Sequence, residues 1–272
     1  LYFARDGKHE ATSGVGRWIG LLDETAVFAH PMVGGEVRQL YLDQIGHYGL
    51  NALWNLDETA ASGGTIADSV GDNDGTYTGT FYEQDGKFGT ALGFDVFRSD
   101  TITVPYSDDL DSGSLTISLW WNPTGVVKND DATLFGRTGG DNAPYKVRMF
   151  GTDGIGLQIN DGTNFYGTQQ LIMPGDVIVG VWNHLAFTYD GNTGLLHTYC
   201  NGRLLSTPHT GGGFINTSTT QPLEMMGNNL TSAYVGGLLD EVALFGRVLP
   251  SAELRDLYLK GACNVRMQIS VD

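Results

Sequence analysis

Trp182-Asn183-His184-Leu185-Ala186-Phe187-Thr188-Tyr189-Asp190-Gly191-Asn192 is the stretch that decides how this chain folds. Leu185, Phe187 and Tyr189 alternate with His184, Ala186 and Thr188, and Asp190-Gly191-Asn192 then supplies turn chemistry. Alternation of period two, closed by Asp, Gly and Asn, marks a strand with one buried face. The next run repeats the pattern: Leu196, Thr198 and Cys200 alternate with His197 and Tyr199, and Asn201-Gly202 before Leu204-Leu205 predicts a two-residue hairpin. Upstream, Leu115, Ile117, Leu119 and Trp121 alternate with Thr116, Ser118, Trp120 and Asn122. Asp72-Asn73-Asp74-Gly75, Thr138-Gly139-Gly140-Asp141-Asn142 and Asn160-Asp161-Gly162 are further turn signals. Helical periodicity is confined to Ser251-Ala252-Glu253-Leu254-Arg255-Asp256-Leu257-Tyr258, where Ser251 suits the N-cap and Leu254, Leu257 and Tyr258 share a face. The pattern predicts an all-β sandwich of two antiparallel sheets with one short C-terminal helix.

Composition narrows the function. The 272 residues are 41% hydrophobic and 17% charged, which excludes wholesale disorder. Fifteen Lys and Arg against 31 Asp and Glu give a formal net charge of -16. That field repels phosphate backbones and anionic membrane surfaces and suits cations, so nucleic acid is not an expected partner. No apolar run reaches the length of a membrane-spanning helix, so membrane insertion is not expected either. The 39 glycines point to many turns. Cys200 and Cys263 are too few for a disulfide framework, and Cys200, alternating with apolar residues, reads as a buried free thiol.

The chain also repeats itself. Leu21-Leu22-Asp23-Glu24-Thr25-Ala26-Val27-Phe28 recurs as Leu238-Leu239-Asp240-Glu241-Val242-Ala243-Leu244-Phe245, and Glu36-Val37-Arg38-Gln39-Leu40-Tyr41 recurs as Glu253-Leu254-Arg255-Asp256-Leu257-Tyr258. The offset is 217 residues throughout, with ten of the twenty-one aligned positions identical. A period that long is a whole domain rather than a solenoid unit. Residues 1–46 therefore read as the C-terminal strand and helix of a preceding, truncated module. Residues 50–261 read as a complete module, and 262–272 as a tail or an extra strand. A lone strand and helix cannot bury an apolar face unaided, so self-association or docking through residues 1–46 is expected unless more chain precedes them.

Taken in order, Trp54-Asn55-Leu56-Asp57-Glu58, Ala67-Asp68-Ser69-Val70-Gly71-Asp72-Asn73-Asp74-Gly75, Gly86-Lys87-Phe88-Gly89-Thr90-Ala91-Leu92, Leu115 to Trp120, Trp182 to Gly191, Asn201-Gly202 and Gly237 to Val242 resemble a known family. The series is similar to the laminin G-like jelly-roll domains of the concanavalin A-like lectin/glucanase superfamily, over about residues 50–261. The resemblance implies two curved antiparallel sheets, one Ca2+ ion, and carbohydrate or protein binding. It does not decide function, because one fold hosts lectins, glycosidases, lyases and spacers.

Three kinds of site are expected or excluded. Calcium takes six to eight oxygens, and the loop from Asp68 to Gly75 supplies them densely, with Asp72 and Asn73 in it and Asp57 on the first strand. The resemblance adds Asp240 of the final strand. The other reading of the loop is an Asx-turn with solvated carboxylates. For ligand contact, Trp120 falls on the strand face opposite the Leu115 stripe, and Tyr145, Asn142, Asn164 and Tyr166 are the further candidates. Catalysis is not expected: Glu241 is followed by Ala243 where a paired glycosidase carboxylate belongs, and no nucleophile elbow, zinc motif or phosphate loop occurs. The sequence thus points to a non-catalytic binding module of an extracellular, cell-surface or virion-surface protein, with carbohydrate the first ligand. The alternative is a structural or assembly module of a multi-subunit surface or virion particle.

Overall fold

The computed structural model describes residues 49–262, apart from segments at 60–61, 80–82, 129–131, 139–142, 150–153, 168–174, 206–208 and 211–212. The repeat copy in residues 1–46, the tail from 263, Asn142 and Cys263 lie outside the described residues. Those described belong to one compact unit, Ile45–Asp272.

Two antiparallel sheets enclose the core. The first runs β14 (Arg203–Leu204), β13 (Leu195–Cys200), β12 (Asn183–Asp190), β7 (Leu115–Lys128), β18 (Ala233–Phe245), β5 (Thr90–Phe94) and β4 (Glu83–Asp85). β1 (Leu50–Trp54) and β17 (Gly227–Asn228) join it on β18, and β15 (His209–Thr210) joins it on β13. The second sheet runs β11 (Phe165–Gly167), β10 (Ile155–Asn160), β9 (Tyr145–Met149), β8 (Thr133–Arg137), β16 (Leu223–Met225), β6 (Thr101–Val104), β3 (Gly75–Thr78) and β2 (Thr65–Ile66). This is the expected all-β sandwich.

The stretches that decided the fold pair with one another. β12 lies between β7 and β13, with Leu185 opposite both Leu119 and Cys200, and Phe187 opposite both Ile117 and Thr198. The Leu115, Ile117, Leu119 and Trp121 stripe faces the core together with Leu185, Phe187, Tyr189 and Leu196. From the other sheet come Val104, Phe135, Val147, Leu157 and Ile159. Trp54 is fully buried, 6.1 Å from Phe135 between ring centroids, and its Nε1 donates to the Asn73 carbonyl at 2.9 Å. The hairpin pairs Tyr199 with Leu204 and Cys200 with Arg203, leaving Asn201 (φ 52°) and Gly202 (φ 73°) as its loop. Two successive positive φ angles are what a type I′ turn requires.

β18 carries an irregularity that the sequence pattern already contained. Leu239, Val242 and Leu244 all reach the core, a spacing that strict alternation forbids. A bulge between Asp240 and Ala243, with Glu241 at φ 52°, inserts the extra residue and restores the parity.

The C-terminal helix, α1 (Ser251–Ala262), lies against the first sheet's outer face. Tyr258 stacks on Trp120 at 6.0 Å and 24°, and lies 6.2 Å from the His184 ring. A side chain at Gly261 would collide with the Trp120 indole, so the helix approaches there only through glycine. No helix among the described residues is long and apolar enough to cross a membrane.

Cys200 is a buried free thiol whose Sγ donates to the Asp176 carbonyl at 3.4 Å. Burial pushes its pKa up to about 11, which suppresses the reactive thiolate. Iodoacetamide at pH 8 should therefore leave Cys200 unlabelled in the native protein and label it after denaturation, read by peptide mass mapping. Rapid native labelling of that peptide would contradict the packing.

Candidate functional site

A cleft of about 390 Å³ opens where β5 leaves the first sheet. Its lining includes Gln84 of β4, Thr124 of β7, and the glycines Gly93, Gly236 and Gly237. Gly93 pairs with Leu238, and Gly237 pairs with both Phe94 and Pro123, so backbone forms the floor. Gly237 has φ 140°, and a Cβ there would lie 2.5 Å from the Asn122 carbonyl and 2.8 Å from the Trp121 Nε1. Only glycine fits, because a side chain there would run into the neighbouring strand and the Trp121 indole.

Over this floor the turn from Asp95 to Asp100 presents Phe97, whose surface is 82% exposed. The adjacent Val96 is buried, so the turn is anchored by one apolar side chain and displays the next. Polar contacts hold it from several sides. The Phe97 N–H donates to Asp95 Oδ1 at 2.9 Å, and the Arg98 N–H to the Asp95 carbonyl at 3.1 Å. The Asp95 N–H and the Tyr77 hydroxyl donate to Oδ2 of the fully buried Asp100, at 3.0 and 3.2 Å. Arg98 pairs with Asp95 at 3.5 Å, and Ser99 takes a left-handed φ of 60°. Burying a phenyl ring is worth about 1.5–3 kcal/mol, a gain this turn forgoes while its backbone is held.

The residues singled out from sequence fall elsewhere, and two of them are corrected. Trp120 does lie on the face away from the core, but α1 and Tyr258 cover one side of its ring and Lys87 Nζ sits 4.5 Å from its centroid. It is 4% exposed and offers no face to a ligand. Tyr145 points into the core beside Val147 and donates its hydroxyl to the Leu110 carbonyl at 2.8 Å; burial drives its pKa up. Asn164 and Tyr166 do sit at the sandwich rim, where the Asn164 N–H and the Tyr166 side chain both hydrogen-bond to Asp161. Asn142 is outside the described residues.

The five expected calcium residues divide into two groups. Asp68 is the organiser of its loop. Its Oδ1 accepts from the Leu53 and Val70 N–H groups and its Oδ2 from the Asn73 N–H and Nδ2, at 2.9–3.2 Å. Four N–H donors thus occupy the lone pairs of this carboxylate, the bonding of an Asx-type turn; Asp72 is exposed beside them. Asp57 and Asp240 instead meet at one turn: Asp57 Oδ1 accepts from the Thr90 N–H at 2.8 Å, and the buried Asp240 Oδ2 from the Phe88 N–H at 2.9 Å. Among the described residues, no three His, Cys, Asp or Glu side chains gather as a metal cluster.

The cleft was missed because Phe94-Asp95-Val96-Phe97 continues an apolar pattern that looks like core. The available signal was parity: Leu92, Phe94 and Val96 are spaced by two, and Phe97 breaks the step just before Arg98-Ser99-Asp100.

Known proteins share this architecture. A family model described as the concanavalin A-like lectin/glucanases superfamily matches residues 97–255. No curated protein matches the chain. Among solved structures, domain 4 of AbnA, a GH43 extracellular arabinanase from Geobacillus stearothermophilus in complex with arabinotriose, aligns at 24% identity. Its TM-score is 0.61, over 77% of this chain and 98% of that one. The binding domain of Paraclostridial Mosquitocidal Protein 1 aligns at 16% and 0.60, over 78% of this chain and 52% of that one. The binding domain of botulinum neurotoxin DC in complex with SialylT aligns at 14% and 0.59, over 80% and 52%. At these identities the likeness is one of fold.

Removing the Asp100 carboxylate should loosen the turn that displays Phe97. Asp100→Ala should cost about 1–3 kcal/mol, the usual cost of stranding buried donors, and should speed chymotryptic cleavage after Phe97 relative to other sites. Unchanged melting and cleavage would remove Asp100 from that role.

Proposed function

Because the chain belongs to the laminin G-like family of the concanavalin A-like lectin/glucanases superfamily, matched over residues 97–255, we propose that it is a non-catalytic carbohydrate-binding module of a secreted or surface protein, with its sugar seated in the Phe97 cleft. The observation that carries this is the exposed Phe97 ring on a pinned turn above a glycine floor, with Gln84, Asp95 and Thr124 at the edge. An aromatic face takes the apolar side of a pyranose or furanose, and the amide, carboxylate and hydroxyl take its hydroxyl groups. The Asp95 carboxylate at the cleft is paired with Arg98, while the chain as a whole carries a net charge of -16. That field favours neutral oligosaccharides over sialylated or uronic ones.

Two arrangements support the non-catalytic reading. Across the outer face of the second sheet, Thr103, Glu224, Gly136, Lys146 and Gln158 form one cross-strand row. The row's one carboxylate, Glu224, accepts from Asn229 on both oxygens, at 3.1 and 2.6 Å, and burial raises its pKa. A retaining glycosidase needs two carboxylates about 5–5.5 Å apart. The Ser118–His184 pair, 2.9 Å apart, is sealed under α1, and burial lowers the His184 pKa to about 3. The assembly alternative draws on the exposed Ile178, Val179 and Val181, and light scattering of the purified module reports on it directly.

The sugar reading is tested on an array of neutral tri- to hexasaccharides, arabinotriose among them, with sialylated counterparts. Wild type should bind a neutral glycan, and Phe97→Ala should weaken that binding tenfold or more, about 1.4 kcal/mol, with melting unchanged. Absence of glycan binding, or binding indifferent to Phe97, would reject the cleft.

A structural calcium is a narrower proposal, now resting on Asp57 and Asp240 at the Phe88–Thr90 turn, with backbone carbonyls and water completing the six to eight oxygens. Lys87 is the competing cation: burial lowers its pKa, and the Asp240 charge partly opposes that shift. Millimolar calcium should raise the melting point by several degrees over EDTA, and Asp240→Ala should abolish the difference. Identical melting in calcium and EDTA would leave the Lys87 ammonium as the sole counter-charge.

A further inference from the structure

The rim at the opposite end of β7 holds a second exposed aromatic residue. Phe214 is 63% exposed, yet its ring edge rests on two glycines from different loops. A Cβ at Gly113 would lie 2.9 Å from its Cδ1, and one at Gly191 would lie 3.1 Å from the same atom. At Gly113 a side chain would press on the Phe214 ring, whereas at Gly191 the nearer obstacle is the Gly113 carbonyl oxygen, 2.1 Å away. The segment is tied down on both sides. The Tyr189 hydroxyl donates to the Gly213 carbonyl at 2.5 Å, and the Asn216 N–H donates to the Asn160 carbonyl at 2.8 Å. Ile215, between them, is buried. The neighbouring loops are fixed by their own carboxylates. Asp190 accepts from the Asn192 N–H and the Thr193 hydroxyl, and Asp161 from the Thr163 and Asn164 N–H groups.

This repeats the physical logic of Phe97: a buried neighbour anchors the segment, backbone bonds hold it, and the ring is shown to solvent. Polar groups suited to hydroxyls stand beside it. Asn216 Oδ1 accepts from the Ser218 N–H and hydroxyl, while its Nδ2 makes no hydrogen bond among the described residues. Thr217 is exposed three residues along the chain, and Asn192 is exposed next to Gly191. A lone exposed Leu or Val is ordinary on a protein surface; the Phe214 ring instead rests its edge on Gly113 and Gly191, in a segment held by backbone bonds.

We infer that Phe214, with Asn216 and Asn192, forms a second carbohydrate contact for neutral sugars, separate from the Phe97 cleft. Gly113 sits just before β7 begins at Leu115, and Thr124 of the cleft lies toward its far end. At about 3.3 Å per strand residue, the stretch of chain between them is roughly 36 Å long. One short oligosaccharide cannot reach both, so the module has two independent sites, and a polysaccharide that meets both gains affinity through effective concentration.

The test titrates a neutral oligosaccharide found on the array against wild type, Phe97→Ala, Phe214→Ala and the double variant by calorimetry. Each protein is then run through an affinity gel of the matching polysaccharide. Two sugar equivalents are expected for wild type, one for each single variant and none for the double, with gel retardation falling at least tenfold in each single variant. Phe214→Tyr keeps the ring and should bind as wild type, which separates loss of stacking from loss of fold. A wild-type stoichiometry of one, with Phe214→Ala indistinguishable from it, overturns the second site and leaves the Phe97 cleft standing. Loss of all binding in Phe214→Ala, with Phe97→Ala unaffected, does the reverse. An array with no neutral ligand overturns both.

Discussion

The pairing of β7 with β18 is the constraint on which the rest depends. The two strands have 14 and 13 residues and form the centre of the first sheet. Their register breaks twice, between Val235 and Gly237 and between Asp240 and Ala243. The first break sets Gly237 at φ 140° in the cleft floor, and the second sets Asp240 beside Trp120, facing the turn at Phe88. A regular ladder would carry side chains through both places. A non-glycine residue at positive φ, as at Glu241, costs on the order of 1 kcal/mol or more. That cost is sustained because the bulge returns Val242 and Leu244 to the core.

The two outer faces are used differently. On the first sheet, α1 covers Trp120 and His184 and turns a ring-bearing face into interior. On the second, cross-strand neighbours place Glu224, Gly136 and Lys146 in a polar row. What stays exposed lies at the ends of strands, where backbone leaves the ladder and a turn aims a side chain outward. Phe97 and Phe214 both sit at such ends, each beside a residue packed inside, Val96 and Ile215. Binding residues concentrate on loops carried by a rigid scaffold for the same reason.

The acidic loops show how one residue type serves two ends. Asp68, Asp161 and Asp190 spend their oxygens on N–H and hydroxyl donors, most of them in their own loops, with Leu53 of β1 and Ser114 before β7 as the exceptions. Hydrogen bonds from Asn164, Thr163 and Tyr166 lower the Asp161 pKa, and bonds from Thr193 and Asn192 lower that of Asp190. Much of the negative charge that suggested a cation thus organises backbone. Asp57 and Asp240 differ because their donors come from another loop, which draws two distant carboxylates to one turn.

Sequence by itself determined the central strands β7, β12 and β13 with their inward faces, the Asn201-Gly202 hairpin and the helix from Ser251. Those features depend on alternation and turn chemistry within a few residues, and the spacing of Leu239, Val242 and Leu244 even encoded the bulge. Tertiary structure alone decided which outward faces stay open. Trp120 lost its face to a helix more than a hundred residues away, and Tyr145 was aimed at the Leu110 carbonyl in the interior. Phe97 gained its exposure from Asp100, Tyr77 and a glycine floor supplied by another strand. Parity assigns a side chain to a side of its strand; what covers that side is set by chain that parity does not see.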